Sequence, residues 1–309
     1  MKKKKILITL LLLLTLTTSG CTKILKDENK KAVTNPTTGQ SLPENILCRP
    51  TDEETLEIYE KHEVDLSKLP ECKEFTVTSG GYEGIWTTIF VKPLAWIILK
   101  IGDLVKNYGL AVMLITLAIR LIMIPVTKKT AMQSENLQKA KPELDRLEKK
   151  YGNKQDQESM MQKSQEMLMI YKKYDINPMS SCLYSLLQIP LFFAFYEALN
   201  RLPAIFEESF GPFQLGTSPS VALKTGNWYY LIFVVLVILV TYFSFKLNSG
   251  ASMSKEQAEQ MKMMSNVMVV MIGVMSFTVS SAIALYWIVN SGFTVLQNLY
   301  VKRRKANAR

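Results

Sequence analysis

Long apolar runs separated by charged stretches organise this chain of 309 residues. Apolar residues dominate from about Tyr108 to Val126, Met179 to Leu199, Trp228 to Leu247 and Met263 to Val301. The first three have the roughly 20 residues that a helix needs to cross a hydrocarbon core of about 30 Å. The last is too long for one crossing, and Ser280-Ser281 marks a turn that divides it in two. The pattern predicts an all-α membrane protein with five transmembrane helices.

Ahead of the first span, Leu94, Ile97, Ile98, Ile101, Leu104 and Val105 recur at helical spacing, while Lys100, Asp103, Lys106 and Asn107 fall on other faces. Residues 84–107 are therefore expected to lie in the membrane interface as an amphipathic helix, with Trp86 and Trp96 at headgroup level. Counting this helix as a span would put the Lys/Arg-rich stretch 128–173 outside, against the positive-inside rule. The first span, residues 108–126, then runs from outside to inside. Residues 127–178 are predicted to form a cytoplasmic helical hairpin broken at Gly152-Asn153, with Leu137, Leu144, Leu147, Met160, Met161, Met167, Leu168 and Tyr171 as its apolar positions. Transmembrane helices two to five occupy 179–301, and the basic tail 302–309 lies in the cytoplasm.

The chain starts with four lysines after Met1 and a short apolar run, Ile6 to Leu16, ending in Thr18-Ser19-Gly20-Cys21. This reads as a lipoprotein signal peptide over residues 1–20, with Cys21 lipid-modified and anchored on the outer face of the cell membrane. An uncleaved signal anchor is the rival reading, and the apolar run is short for it. Residues 21–83 form an extracytoplasmic, lipid-anchored segment, polar and mixed in charge. Within it Asn35 to Gly39 reads as a flexible linker and Asp52 to Lys61 as a short helix. Cys48 and Cys72 fall here, where an oxidising compartment permits a loop-closing disulfide; two free thiols are the other reading. Cys182 reads as a small packing residue, and His62, the single histidine, as a solvated side chain.

A net charge of +10 raises nucleic acid as a partner, but the basic residues cluster at the ends of apolar runs, where membrane orientation accounts for them. No direct nucleic-acid role is expected. A Gly-rich phosphate loop, a His-based triad and a metal-ligand cluster are all missing from the sequence, so neither an enzyme nor a cofactor or metal site is expected.

Arg120 is the feature that bears on function. It interrupts the first span, where a charge costs roughly 2.5–3.5 kcal/mol on insertion scales and so must face water or protein. No Asp or Glu falls near the middle of any predicted span; Glu197 sits toward the outer end of the second. Thr116 lies one turn before Arg120 on the same side. Gln188 follows Ser181, Cys182 and Ser185, giving the second span a polar side, and Tyr286, Asn290, Thr294 and Gln297 share one face of the fifth. Such residues also serve simply to hydrogen-bond one helix to another, and Met264, Met268, Met271 and Met275 along the fourth span fit ordinary bundle packing as well as an adaptable apolar surface. A hydrated groove with Arg120 on its wall accommodates these positions.

The order of elements resembles the membrane protein insertases of the YidC/Oxa/Alb family, in the lipoprotein form of Gram-positive bacteria. The resemblance runs from about Gly84 to Arg304. It rests on Tyr108-Gly109 to Arg120 and Pro125, on Asn177-Pro178-Met179-Ser180-Ser181-Cys182 to Gln188-Ile189-Pro190, and on Leu285-Tyr286-Trp287-Ile288-Val289-Asn290. It implies five helices around a hydrophilic client-binding groove formed by Arg120, Thr116, Gln188, Trp287 and Asn290. Beside it an apolar slide would be formed by Leu186, Ile189, Pro190, Phe192 and Tyr286. The implied partners are nascent membrane protein clients, received alone or with the Sec translocon and the ribosome, and the lipid bilayer. Ser180-Ser181-Cys182-Leu183-Tyr184 and Ser280-Ser281-Ala282 depart from the family's usual Gly-Gly-Cys-Phe-Pro and Pro-x-Gly, which bears on helix-end geometry and leaves the groove positions in place. Two other classes compete: a small-anion transporter using Arg120, against which stands the lack of an internal repeat, and a chaperone that holds membrane subunits without inserting them.

Overall fold

The computed structural model describes residues 22–152, 156–177, 179–248 and 255–306, with the side chains of 126, 129–131, 134, 179–187, 248, 255–258, 260–261, 301–302 and 304–306 not described. Cys21 and the signal segment 1–20, predicted from sequence, lie outside the described residues, as does the side chain of Leu186. The protein is mostly helical. Helix α1 is Glu53–Lys61; a helical turn Gly84–Trp86 and a π-helical stretch Thr87–Val91 lead into α2, Lys92–Val105. There follow α3 (Tyr108–Ile122), α4 (Ile124–Tyr151), α5 (Gln157–Lys173) and α6 (Met179–Arg201). A short helix α7 (Pro203–Phe206), strands β1 (Ser209–Phe210) and β2 (Phe213–Gln214) paired antiparallel, and α8 (Pro219–Lys224) make the next connection. The chain finishes with α9 (Leu231–Asn248), α10 (Lys255–Met275) and α11 (Ser281–Ala306).

Among the described residues, Trp228–Leu247 is the one helix both long and apolar enough to cross a bilayer, with 20 residues and a mean hydropathy of 2.3. Tyr108–Ile122 and Lys262–Met275 are apolar but shorter. The first predicted span, 108–126, stops early: α3 ends at Ile122 and a new helix starts at Ile124. Pro125 explains the break. Its ring would clash with the carbonyl four residues back, and it sits instead in the first turn of α4, where no partner for its nitrogen is required.

The chain divides into two units. The first comprises residues 1–115, 190–230 and 278–285. Residues 22–83, polar and mixed in charge by composition, contribute Leu25, Leu42, Ile46, Tyr59 and Leu66 to a buried core shared with Phe206. The stretch Asn35 to Gly39 is a packed turn rather than a flexible linker. Asn35 is 3% exposed, and its side-chain oxygen accepts from the N–H groups of Thr37 and Thr38, each at 2.9 Å. Such an Asx turn lets a polar side chain stand in for a backbone partner. Gly39 closes it at φ +65°, where a Cβ would lie 2.3 Å from Val221. Helix α1 is capped by Asp52, which accepts from Thr55 N at 2.9 Å, with Glu53 and Glu54 beside the positive helix end. His62 closes the other end, its Nδ1 lying 2.8 Å from the Ile58 carbonyl oxygen. Cys48 and Cys72 are disulfide-bonded, which resolves the alternatives left open by the sequence.

In α2 the buried positions are Leu94, Ala95, Ile98, Leu99 and Gly102. Leu104, expected on the same apolar face, is 80% exposed. Lys92 instead lies on the buried side, ion-paired with Glu83 at 2.8 Å. Periodicity alone cannot register this, because a paired lysine can occupy an inner position that an unpaired one cannot.

The second unit comprises residues 116–189, 231–277 and 286–309. Helices α4 and α5 pack against each other around Ala140, Leu144 and Tyr171, with Leu137, Met167, Ile170, Tyr174 and Ile176 packed alongside. Ion pairs Lys150–Glu166 (2.6 Å) and Lys173–Glu143 (2.5 Å) nest one inside the other, as an antiparallel pair requires. Hydrogen bonds from Lys150 and Tyr151 hold the Glu166 carboxyl below its ordinary range, and those from Lys173 and Tyr174 do so for Glu143. These exposed pairs set register and add little stability. Helix α9 packs on α10, where Gly273 admits Ile238; a Cβ there would stand 3.2 Å from it.

Candidate functional site

Within the second unit the polar residues singled out on separate helices come together. Thr116 and Arg120 sit one turn apart on α3, and both are buried; Arg120 is 4% exposed despite its charge. The Arg120 Nε donates to the Asn290 side-chain oxygen of α11 at 2.7 Å. The amide of Asn290 is a neutral acceptor for this cation. Gln188 of α6 donates through Nε2 to the Tyr286 hydroxyl at 3.3 Å. Gln297 donates to Thr127 at 2.7 Å, and Thr294 to the backbone carbonyl of Asn290 at 3.1 Å. The face of α11 traced by Tyr286, Asn290, Thr294 and Gln297 is thus hydrogen-bonded along its length. The i, i+4 spacing brings this about, since it stacks these side chains in one row.

Two of the predicted positions make hydrogen bonds of their own. Tyr286, assigned to the apolar slide, is 1% exposed, and its hydroxyl accepts from Gln188. An aromatic ring reads as apolar in a sequence, yet its hydroxyl needs a partner once buried. Trp287 donates its indole N–H to the Thr241 hydroxyl of α9 at 2.9 Å, away from the row that meets Arg120. Of the remaining slide positions, Ile189 is exposed and Pro190 and Phe192 are half-buried along α6. Sequence reasoning missed Thr241 and Thr127. Thr241 was detectable as a hydroxyl inside the most apolar helix, and Thr127 as the residue two turns beyond Arg120 on the same face.

The chain is mostly helical, with a buried, hydrogen-bonded arginine in an apolar helix. The 60Kd inner membrane protein family model matches residues 100–308. The membrane protein insertase YidC of Oceanobacillus iheyensis is 36% identical over 226 residues, covering 72% of this chain and 85% of that protein. The insertase MisCA of Bacillus subtilis is 33% identical over 218 residues, covering 70% and 79%. A crystal structure of an active YidC insertase with its first transmembrane domain resolved superposes with a TM-score of 0.50 at 25% identity, over 73% of this chain and 48% of that one. The chain belongs to this family of membrane protein insertases, whose place is the cell membrane and whose clients are membrane proteins.

Proposed function

We propose that Arg120 is the receptor for the passing negative charge of a client. The observation that carries this is a buried guanidinium in an apolar helix, hydrogen-bonded to the neutral amide of Asn290. A client's polar tail must leave water to cross, and stranding it in hydrocarbon costs several kcal/mol per unsatisfied group. A hydrated groove containing Arg120, Thr116, Gln188, Tyr286 and Asn290 shortens that dry path and attracts an acidic tail. The client's apolar helix then partitions into lipid along Leu186, Ile189, Pro190 and Phe192, and burial of its apolar surface drives the step. Trp287 braces α11 against α9 through Thr241.

In this reading five helices span the membrane, α2 lies in the interface, and the α4–α5 hairpin and basic tail face the cytoplasm. Cys21 carries the lipid anchor outside. The basic tail and hairpin are also where a ribosome or the Sec translocon would meet the protein. The test is insertion of a single-span client with an acidic tail into vesicles holding the purified chain, with crosslinkers at positions 120 and 188. Client crosslinks at both positions and insertion above the empty-vesicle level are expected. Crosslinks at neither position, with insertion intact, would overturn the groove; anion uptake without insertion would favour a transporter.

A further inference from the structure

Residues 22–83 lie ahead of the part matched by the family model, which begins at residue 100. In the first unit they are tied to the end of α6 and the connection that follows it by hydrogen bonds, an ion pair and apolar packing. Leu47 N donates to the Arg201 carbonyl at 3.0 Å, and Arg201 Nε donates back to the Asn45 carbonyl at 2.6 Å. The Glu207 carboxylate accepts from Thr51 N at 3.0 Å, from the Thr51 hydroxyl at 2.6 Å and from Asp52 N at 3.2 Å. Phe206 completes the core around Tyr59, and Gly39 fits against Val221.

Arg201 is the hub. Its side chain is 1% exposed, and its Nη2 reaches Glu83 at 2.6 Å, the same carboxylate that pairs with buried Lys92 of α2. One guanidinium therefore joins the N-terminal segment, the start of α2 and the end of α6. The disulfide Cys48–Cys72 closes the loop that carries Thr51, Asp52 and α1, and Cys48 is one residue from Leu47. Helix α6 needs such a hold: Pro190 removes one of its internal hydrogen bonds, so the turns from Pro190 to Arg201 depend on what surrounds them.

We propose that residues 22–83 are a disulfide-closed clamp on the 201–216 connection, with Arg201 as the positioning residue, and that client insertion requires the clamp closed. The proposal rests on the insertase reading. Opening it takes a dithiol reductant, which gives two electrons and two protons to Cys48 and Cys72 and itself becomes a disulfide; oxidised glutathione runs the reaction back.

The test uses the full chain in vesicles, inserting the single-span client, as wild type with and without dithiothreitol, as Cys48→Ala/Cys72→Ala, as Arg201→Ala, and as all three substitutions together. We expect reduction to slow insertion about tenfold and reoxidation to restore it, with the double cysteine variant slow and indifferent to reductant. Arg201→Ala slows insertion similarly, and the triple variant is no slower than the worse of the other two, because residues acting through one device do not have additive effects. A reduced wild type at full rate, or effects that multiply in the triple variant, would overturn the clamp. Limited proteolysis provides the second measurement, needing no client: cleavage within 45–75 and within 201–216 should appear together on reduction. If the wild type fails to insert the client, the insertase reading falls and the clamp is judged on proteolysis alone; cleavage confined to 45–75 refutes it.

Discussion

Replacing Arg120 with alanine removes two contributions that differ in kind. The first is structural: Asn290 is buried, and its side-chain oxygen loses the donor it had at 2.7 Å, a cost of about 1–3 kcal/mol whatever the client. The second is electrostatic. An acidic client tail about 4 Å from the guanidinium gains about 1 kcal/mol in bulk water and about 4 kcal/mol at an effective dielectric constant near 20. A hydrated groove lies between these limits, which corresponds to a rate about fivefold to a thousandfold lower for an acidic tail once the charge is gone. The two contributions separate experimentally, because only the second depends on the client. The assay is insertion into vesicles of one span carrying either an Asp/Glu tail or the matching Asn/Gln tail. Arg120→Ala should slow the acidic client far more than the neutral one, and Arg120→Lys should keep most of the difference, since charge rather than guanidinium geometry is at work. Equal slowing of both clients would mean that Arg120 serves only to hold α3 to α11, and a fully active Arg120→Ala would remove its role altogether.

Trp287→Phe deletes the donor to Thr241 and keeps the ring, so it should lower thermal stability by about 0.6–1 kcal/mol while leaving the acidic-to-neutral client ratio at the wild-type value; a changed ratio would put Trp287 in contact with the client. Burial pushes the Glu83 carboxyl up, but hydrogen bonds and charges from Lys92 and Arg201 outweigh it and hold the group below its ordinary value of 4.5. A depressed carboxylate contributes stability that is complete above the unfolded value and is lost as pH falls through the folded one. The first unit should therefore weaken below about pH 4.5, and Glu83→Gln should flatten that part of a stability-against-pH curve measured by protease resistance. An identical curve for the variant would assign the acid sensitivity elsewhere.

The helices on either side of Gly152, the start of α11 at Ser281 and the most apolar helix are legible from local spacing and turn residues. Local spacing also placed Thr116 with Arg120, and Tyr286 with Asn290, Thr294 and Gln297, since residues on one helix share a face by geometry. Which faces meet is a different matter. That Arg120 reaches Asn290 across 170 positions, and that Trp287 turns to Thr241 while Tyr286 turns to Gln188, follows from how the helices pack. The N-terminal segment is the clearest case. Its composition reads as polar and mixed in charge, yet Leu25, Leu42, Ile46, Tyr59 and Leu66 form a core completed by Phe206 from a distant part of the chain, and Arg201 donates to the Asn45 carbonyl. Sequence by itself determined the helices and their polar faces, which are local properties of a periodic chain. Tertiary structure decided the pairing of Arg120, the burial of Lys92 and Arg201, and the contacts of residues 22–83 with Arg201, Phe206 and Glu207, because a buried charge or a small core is stable only through partners that no local window contains.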